Sequence, residues 1–137
     1  MKKLIAALFI TLSAASISYA ATTQAPPLDV KKCDVQTPYG EPSTVKDHPV
    51  ICRTGYVLEH DPAAKIPNWV AWTLTPEHAI GCSPRDDAFA ADQSLPADKR
   101  ADPKDYAGSG YDQGHLANNA DLSWDPNVAR ESFYMSN

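Results

Sequence analysis

Two stretches of the chain carry the alternating apolar and polar positions that are typical of β-strands. In the first, residues 50–61, Tyr56 and the two residues after it favour a strand. In the second, residues 68–75, successive side chains point to opposite faces, and both Trp69 and Trp72 fall within the alternation. Turn residues separate the stretches, so together they predict an antiparallel hairpin. We expect its tryptophans to pack in the core rather than to stack on a ligand.

Helical signals are short and lie in the second half of the chain. Thr75 before a proline predicts a single helical turn, and Asp125 followed by Pro126 predicts the start of a short helix. Between them, residues 84–110 are polar and irregular, which is typical of a long loop that is either functional or flexible. Residues 133–135 are consecutive large apolar side chains and predict the start of a β-run.

The N-terminus has the pattern of a secretory signal peptide. Lys2 and Lys3 precede a short apolar run, and small residues at 18 and 20 favour cleavage after Ala20. An N-terminal membrane anchor is the alternative. We therefore expect a signal peptide at 1–20, a flexible leader at 21–32 and one domain at 33–137. The mature protein is then secreted or periplasmic, without membrane association.

Charge and cysteine content narrow the functional classes. The chain has a formal net charge of −5, so its overall charge cannot attract nucleic acid. A polyanion can bind only through a local basic patch or a bound divalent cation.

Three cysteines in an exported chain predict a disulfide with one thiol left over. Cys33 and Cys52 flank one loop and are the preferred pair, although sequence alone does not fix the connectivity, and Cys82 remains.

The segment GSGYDQGHLANNAD, residues 108–121, carries the chemistry. His115 is a candidate general base because histidine is the side chain that commonly exchanges protons near neutral pH. Oxygen ligands suited to a hard cation follow it, on Asn118, Asn119 and Asp121. These groups fit metal-assisted hydrolysis of a phosphodiester. The competing interpretation is an ordinary surface histidine in a polar loop.

The same segment, followed by ESFYMSN, resembles the DNA/RNA non-specific endonuclease family, the ββα-metal finger nucleases whose signature is Asp-Arg-Gly-His. Residues 55–78 resemble the family's first hairpin, residues 84–96 its arginine-bearing loop, and residues 101–112 the approach to the signature. The resemblance implies an α+β fold, the N-terminal portion of a ββα-metal nuclease domain with an antiparallel sheet. It also implies cleavage of DNA and RNA with Mg²⁺ or Mn²⁺ as cofactor.

The resemblance also implies roles for individual residues. His115 matches the general base, Asp112 a structural support, and Arg85 an arginine that steadies the phosphate. Gln113 stands where the family has arginine. It offers the phosphate a neutral amide instead of a charged guanidinium that can donate two parallel hydrogen bonds. Asn137 matches the asparagine of a Ser-Asn pair beside the substrate.

One part of the family pattern has no match. The metal-binding asparagine and a nearby glutamate follow the Ser-Asn pair on a helix, beyond Asn137, which leaves Asn119 as a weak metal candidate. This predicts a domain that is incomplete at its C-terminus. We expect an exported, Mg²⁺-dependent, sugar-non-specific endonuclease. The alternatives are a truncated, catalytically inactive fragment with weak nucleic-acid binding and a small secreted, disulfide-stabilised binding module.

Overall fold

A small antiparallel sheet lies at the centre of the fold. The computed structural model describes residues 33–42, 44–86 and 88–137, so the predicted signal peptide and leader lie outside the described residues. The sheet has three strands in the order β1 (Val50–Cys52), β2 (Val57–Asp61) and β3 (Ile66–Ala71). With the helices that follow, this arrangement confirms the predicted α+β class.

The predicted hairpin is formed by β2 and β3. Leu58 pairs with Val70, and the register shifts between Glu59 and His60. The second strand ends at Ala71 instead of continuing to residue 75. The reason lies in Thr73, whose backbone N–H and hydroxyl bond to the Gln36 side chain and the Val35 carbonyl, so this segment joins the N-terminal loop instead of the sheet.

The helices are short. A 3₁₀ helix spans Pro103–Asp105, α1 spans Asn119–Leu122 and α2 spans Pro126–Glu131. The predicted start of α2 is confirmed, because the Asp125 carboxylate accepts hydrogen bonds from the backbone N–H groups of residues 127 and 128. No helix in the described ranges is long and apolar enough to cross a membrane.

The predicted β-run at residues 133–135 is wrong. The backbone there forms turns, and its one strand-like contact is an isolated parallel bridge between Ala90 and Tyr134. Ala90 donates to the Phe133 carbonyl and accepts from Met135 N–H. The segment after α2 is therefore held against the long loop rather than added to the sheet.

The core joins the sheet to both α-helices. Its buried members are Ile51, Tyr56, Leu58, Leu95, Ala117, Leu122 and Val128. Trp72 packs against this cluster, as predicted, whereas Trp69 is half-buried and donates its ring N–H to Glu59. Gly55 permits the close packing, since a Cβ there would lie 2.4 Å from a methyl carbon of Val128.

The cysteines follow the predicted assignment. Cys33 and Cys52 form a disulfide with their Cα atoms 5.4 Å apart. Cys82 is an exposed free thiol whose Sγ donates to the Trp124 carbonyl. The disulfide fixes the N-terminal loop to the end of β1.

A buried ion pair connects three distant parts of the chain. Arg53, next to β1, binds Asp92 in the long loop, and the Ser136 hydroxyl donates to the same carboxylate over 2.6 Å. Burial alone would raise the pKa of Asp92, but the Arg53 charge and the hydrogen bonds outweigh it and lower that pKa below its ordinary value. The folded state therefore favours the ionised carboxylate.

We predict that Asp92→Asn lowers the free energy of unfolding at pH 7 by about 3 kcal/mol, because it leaves Arg53 buried without its counter-charge. A carboxylate with a lowered pKa stabilises the fold above the unfolded pKa of about 3.9, and this contribution is lost as the pH falls through the folded value. Denaturant unfolding at pH 7 and near pH 3 measures both effects. The matched control is Asp98→Asn, at a mainly exposed side chain, and equal stabilities of the two variants would contradict the prediction.

Candidate active site

The ring of His115 packs against two phenylalanines that also contact each other. Its centroid lies 4.9 Å from that of Phe89 and 4.7 Å from that of Phe133, and the second contact is edge-to-face. The two phenyl rings also contact each other, with centroids 5.2 Å apart. The imidazole is half-buried, and these contacts restrict its rotation.

A backbone hydrogen bond determines which ring nitrogen of His115 carries a proton. Nδ1 lies 2.9 Å from the carbonyl oxygen of Ser132. Because a carbonyl only accepts, Nδ1 must donate, and the neutral ring then has an unprotonated Nε2. Nε2 is shielded from solvent and has no partner among the described residues. The role of general base stays a prediction, and the ring has the tautomer that this role requires.

A cleft of about 500 Å³ lies beside this ring. Its lining is aromatic and polar and consists of Arg85, Phe89, Tyr106, Tyr111, Asp112 and Gln113. The cleft therefore brings together three side chains for which the sequence predicted functional roles. Phe89 both lines the cleft and contacts the imidazole, so it connects the cleft to His115.

Arg85 supplies positive charge to the cleft. It is exposed, and its guanidinium carbon lies 5.4 Å from the centre of the Phe133 ring. The same ring contacts His115, so the charge and the imidazole both lie against one aromatic side chain. This position suits the predicted contact of Arg85 with a phosphate.

Gln113 and Asp112 differ in how they are held. The half-buried Gln113 donates its side-chain N–H to the Pro103 carbonyl over 3.2 Å, which ties the signature segment to the 3₁₀ helix. Asp112 is exposed and lines the cleft. Its predicted role as a structural support therefore does not fit, because the carboxylate lies at the cleft surface and not beneath it.

Asn137 lies behind His115 rather than in the cleft. It is 6% exposed, and its amide is fully engaged with the backbone. Nδ2 donates to the carbonyls of Ser132 and Ala117, and Oδ1 accepts from Ala117 N–H. The predicted substrate-binding role of Asn137 therefore does not fit its place in the structure.

The predicted metal candidate is buried and bonded to other parts of the chain. Asn119, the weak metal candidate, is 4% exposed, and its Nδ2 donates to the Ser132 hydroxyl and the Ala129 carbonyl. In the described ranges, no three His, Cys, Asp or Glu side chains are grouped so that they could hold a metal ion.

Comparison with known proteins gives consistent matches. A family model described as DNA/RNA non-specific endonuclease matches residues 37–137. Mitochondrial Endonuclease G of Homo sapiens is 41% identical over 86 residues, which is 62% of this chain and 29% of that protein. A protein named Nuclease from Nostoc sp. is 36% identical over 92 residues, 66% of this chain and 33% of that protein.

A solved structure matches as well. A crystal structure of the EndoG/EndoGI complex, described as showing the mechanism of EndoG inhibition, superposes with a TM-score of 0.68 and 31% identity. The match covers 76% of this chain and 42% of the other. The chain thus spans less than half the length of these relatives.

We predict that Phe89→Ala exposes Nε2 of His115 to the cleft, because Phe89 is the side chain that contacts both. Diethyl pyrocarbonate, which acylates an unprotonated imidazole nitrogen, should then modify His115 several-fold faster than in the wild type. Mass spectrometry of peptides measures the rate, with His48 as the internal reference. An unchanged rate at His115 would show that Phe89 does not control access.

Proposed function

The chain belongs to the DNA/RNA non-specific endonuclease family, and on that basis we propose that it is an exported hydrolase that uses His115 to cleave both DNA and RNA. The observation that carries the proposal is the hydrogen bond from Nδ1 of His115 to the Ser132 carbonyl. This bond leaves Nε2 as the basic atom of the ring. A histidine held in this way serves as a general base.

In the proposed reaction, Nε2 removes a proton from a water molecule as the water attacks phosphorus. A new P–O bond forms, the bond to the 3′ oxygen breaks, and the leaving oxygen takes a proton from solvent. Proton transfer of this kind contributes about 10²- to 10⁴-fold to rate. For the water to reach Nε2, the Phe89 side chain must rotate away from the imidazole.

Substrate contacts are assigned to the cleft. Arg85 faces the non-bridging phosphate oxygens, where a cation stabilises the charge that develops in the transition state. Gln113 adds a neutral amide, which neutralises less charge than arginine does. With a formal net charge of −5 for the chain, this local contact has to act against overall repulsion of a polyanion.

Mg²⁺ is the proposed cofactor. The family is in general a group of metal-dependent nucleases, and a divalent ion bound at such a site offsets negative charge on the phosphate. In the described ranges, no three His, Cys, Asp or Glu side chains are grouped to hold the ion.

Export is proposed on two grounds. Residues 1–20 have the pattern of a signal peptide. The Cys33–Cys52 disulfide supports this proposal, because such bonds persist in oxidising compartments.

We predict that His115→Asn lowers the rate of plasmid and RNA cleavage with Mg²⁺ by about 10²- to 10⁴-fold. Asparagine can still donate to the Ser132 carbonyl but supplies no base, so thermal unfolding should change little. Wild-type cleavage should stop in EDTA. The control is His48→Gln, which changes a histidine placed beside Glu59 and Asp61.

Full cleavage by His115→Asn would remove the proposed mechanism. A wild-type chain that binds nucleic acid but never cuts it, with or without Mg²⁺, would instead support the inactive-fragment alternative.

A further inference from the structure

A buried network of side chains lies beside Nδ1 of the imidazole. Its members are Asn119, Ser132 and Asn137, which we call the Ser132 network. Ser132 is fully buried, and the two asparagines are 4% and 6% exposed. None of the three lines the cleft, so the network has no direct access to a substrate there.

We propose that Asn137 is a positioning residue that fixes the Ser132 carbonyl and, through it, the tautomer and orientation of His115. This inference rests on the proposed function of His115. It replaces the substrate contact that the sequence predicted for Asn137.

The first argument is that one carbonyl oxygen serves both side chains. The Ser132 oxygen accepts from Nδ1 of His115 over 2.9 Å and from Nδ2 of Asn137 over 2.8 Å. A carbonyl has two lone pairs, and the two donors use both. Asn137 therefore holds in place the oxygen that selects the protonated nitrogen of the ring.

The second argument is that Asn137 also holds the segment that carries the imidazole. Its side-chain amide bonds to both the N–H and the carbonyl of Ala117, and its backbone oxygen accepts from Leu116 N–H over 2.7 Å. These are the first two residues after His115. Asn137 thus joins the segment that carries His115 to the Ser132 carbonyl, which fixes the distance between Nδ1 and this oxygen.

The third argument concerns the side chain of Ser132. Its hydroxyl accepts from Nδ2 of Asn119 over 3.0 Å and donates to the Ala129 carbonyl over 2.7 Å. Ser132 is therefore held at its hydroxyl by Asn119 and at its carbonyl by Asn137. Rotation of this peptide would leave buried polar groups unpaired, which is unfavourable.

The chemistry of Asn137 suggests a specific substitution. Aspartate has nearly the same shape and can accept from Ala117 N–H, but it cannot donate. Asn137→Asp therefore loses both bonds to carbonyl oxygens and places a carboxylate against them. The matched control is Asn127→Asp, which makes the same change at an exposed position in the first turn of α2, where a negative charge is favourable.

We predict that Asn137→Asp lowers kcat for DNA cleavage about 10- to 100-fold, as is typical when the partner that orients a functional histidine is lost. KM should change little, because the cleft is untouched. Nitrogen NMR of the imidazole should show a smaller fraction of the ring protonated at Nδ1 than in the wild type. Asn127→Asp should match the wild type in all three measurements.

A double variant shows whether Asn137 acts through His115. If it does, adding Asn137→Asp to His115→Asn produces little further loss of activity, because coupled residues are not additive. If Asn137→Asp does not fold, Asn137→Ser is used for the same comparisons, since it keeps one donor without adding charge. An unchanged kcat and tautomer, or an additive double variant, would overturn the proposal.

The NMR measurement separates this proposal from the proposed function. If the wild-type chain shows no nuclease activity, the proposed function fails, and the change in tautomer still decides whether Asn137 positions the ring. If His115 proves essential while Asn137→Asp leaves the tautomer unchanged, the function stands and the positioning role fails.

Discussion

The hydrogen bond between His115 and the Ser132 carbonyl is the contact on which the account of this site depends. It leaves Nε2 as the basic atom of the ring, and it forms only when the residue that follows α2 lies against the segment that precedes α1. The last carbonyls of a helix have no partner within the helix. The fold satisfies this one with two side chains, an imidazole and an amide.

The rest of the fold brings these two segments together. Leu122 and Val128 dock α1 and α2 on the core beneath the sheet. Asp92 then holds the long loop to Arg53 on one side and to Ser136 on the other. As a result, the loop that carries Arg85 and Phe89 and the turn that carries Ser132 lie on either side of the imidazole. A disturbance of the ion pair is therefore expected to reach the site through the backbone.

Local sequence patterns predicted the strands and helices well. They gave little information about contacts between segments that are distant in the sequence. The hairpin, the start of α2 and the Cys33–Cys52 disulfide follow from alternation, capping and cysteine context. The β-run at residues 133–135 was wrong because their backbone bonds are taken by Ala90, a contact that no local pattern reveals.

The same limit applies to the site. The family resemblance pointed to Arg85 and Gln113, which both line the cleft. Asn119 and Asn137 were assigned a metal and a substrate, although both amides are buried and bonded within the chain. Their residue type indicated that the side-chain amides form hydrogen bonds, but it did not indicate which groups they bond to. The acceptor for His115 is a main-chain carbonyl, and no sequence pattern identifies such an acceptor. In the sequence, Phe89 and Phe133 are typical of core residues, so their contacts with the histidine were not predicted.

The most direct test of the account is chemical rescue of His115→Ala, which leaves a space beside the Phe89 and Phe133 rings where a free imidazole can bind. The account predicts that added imidazole restores part of the Mg²⁺-dependent DNA cleavage, in proportion to the concentration of its unprotonated form, and does not accelerate the wild type. If the wild type cleaves DNA, two results would contradict the account. One is a His115→Ala variant as active as the wild type, and the other is a variant that imidazole does not rescue at any concentration.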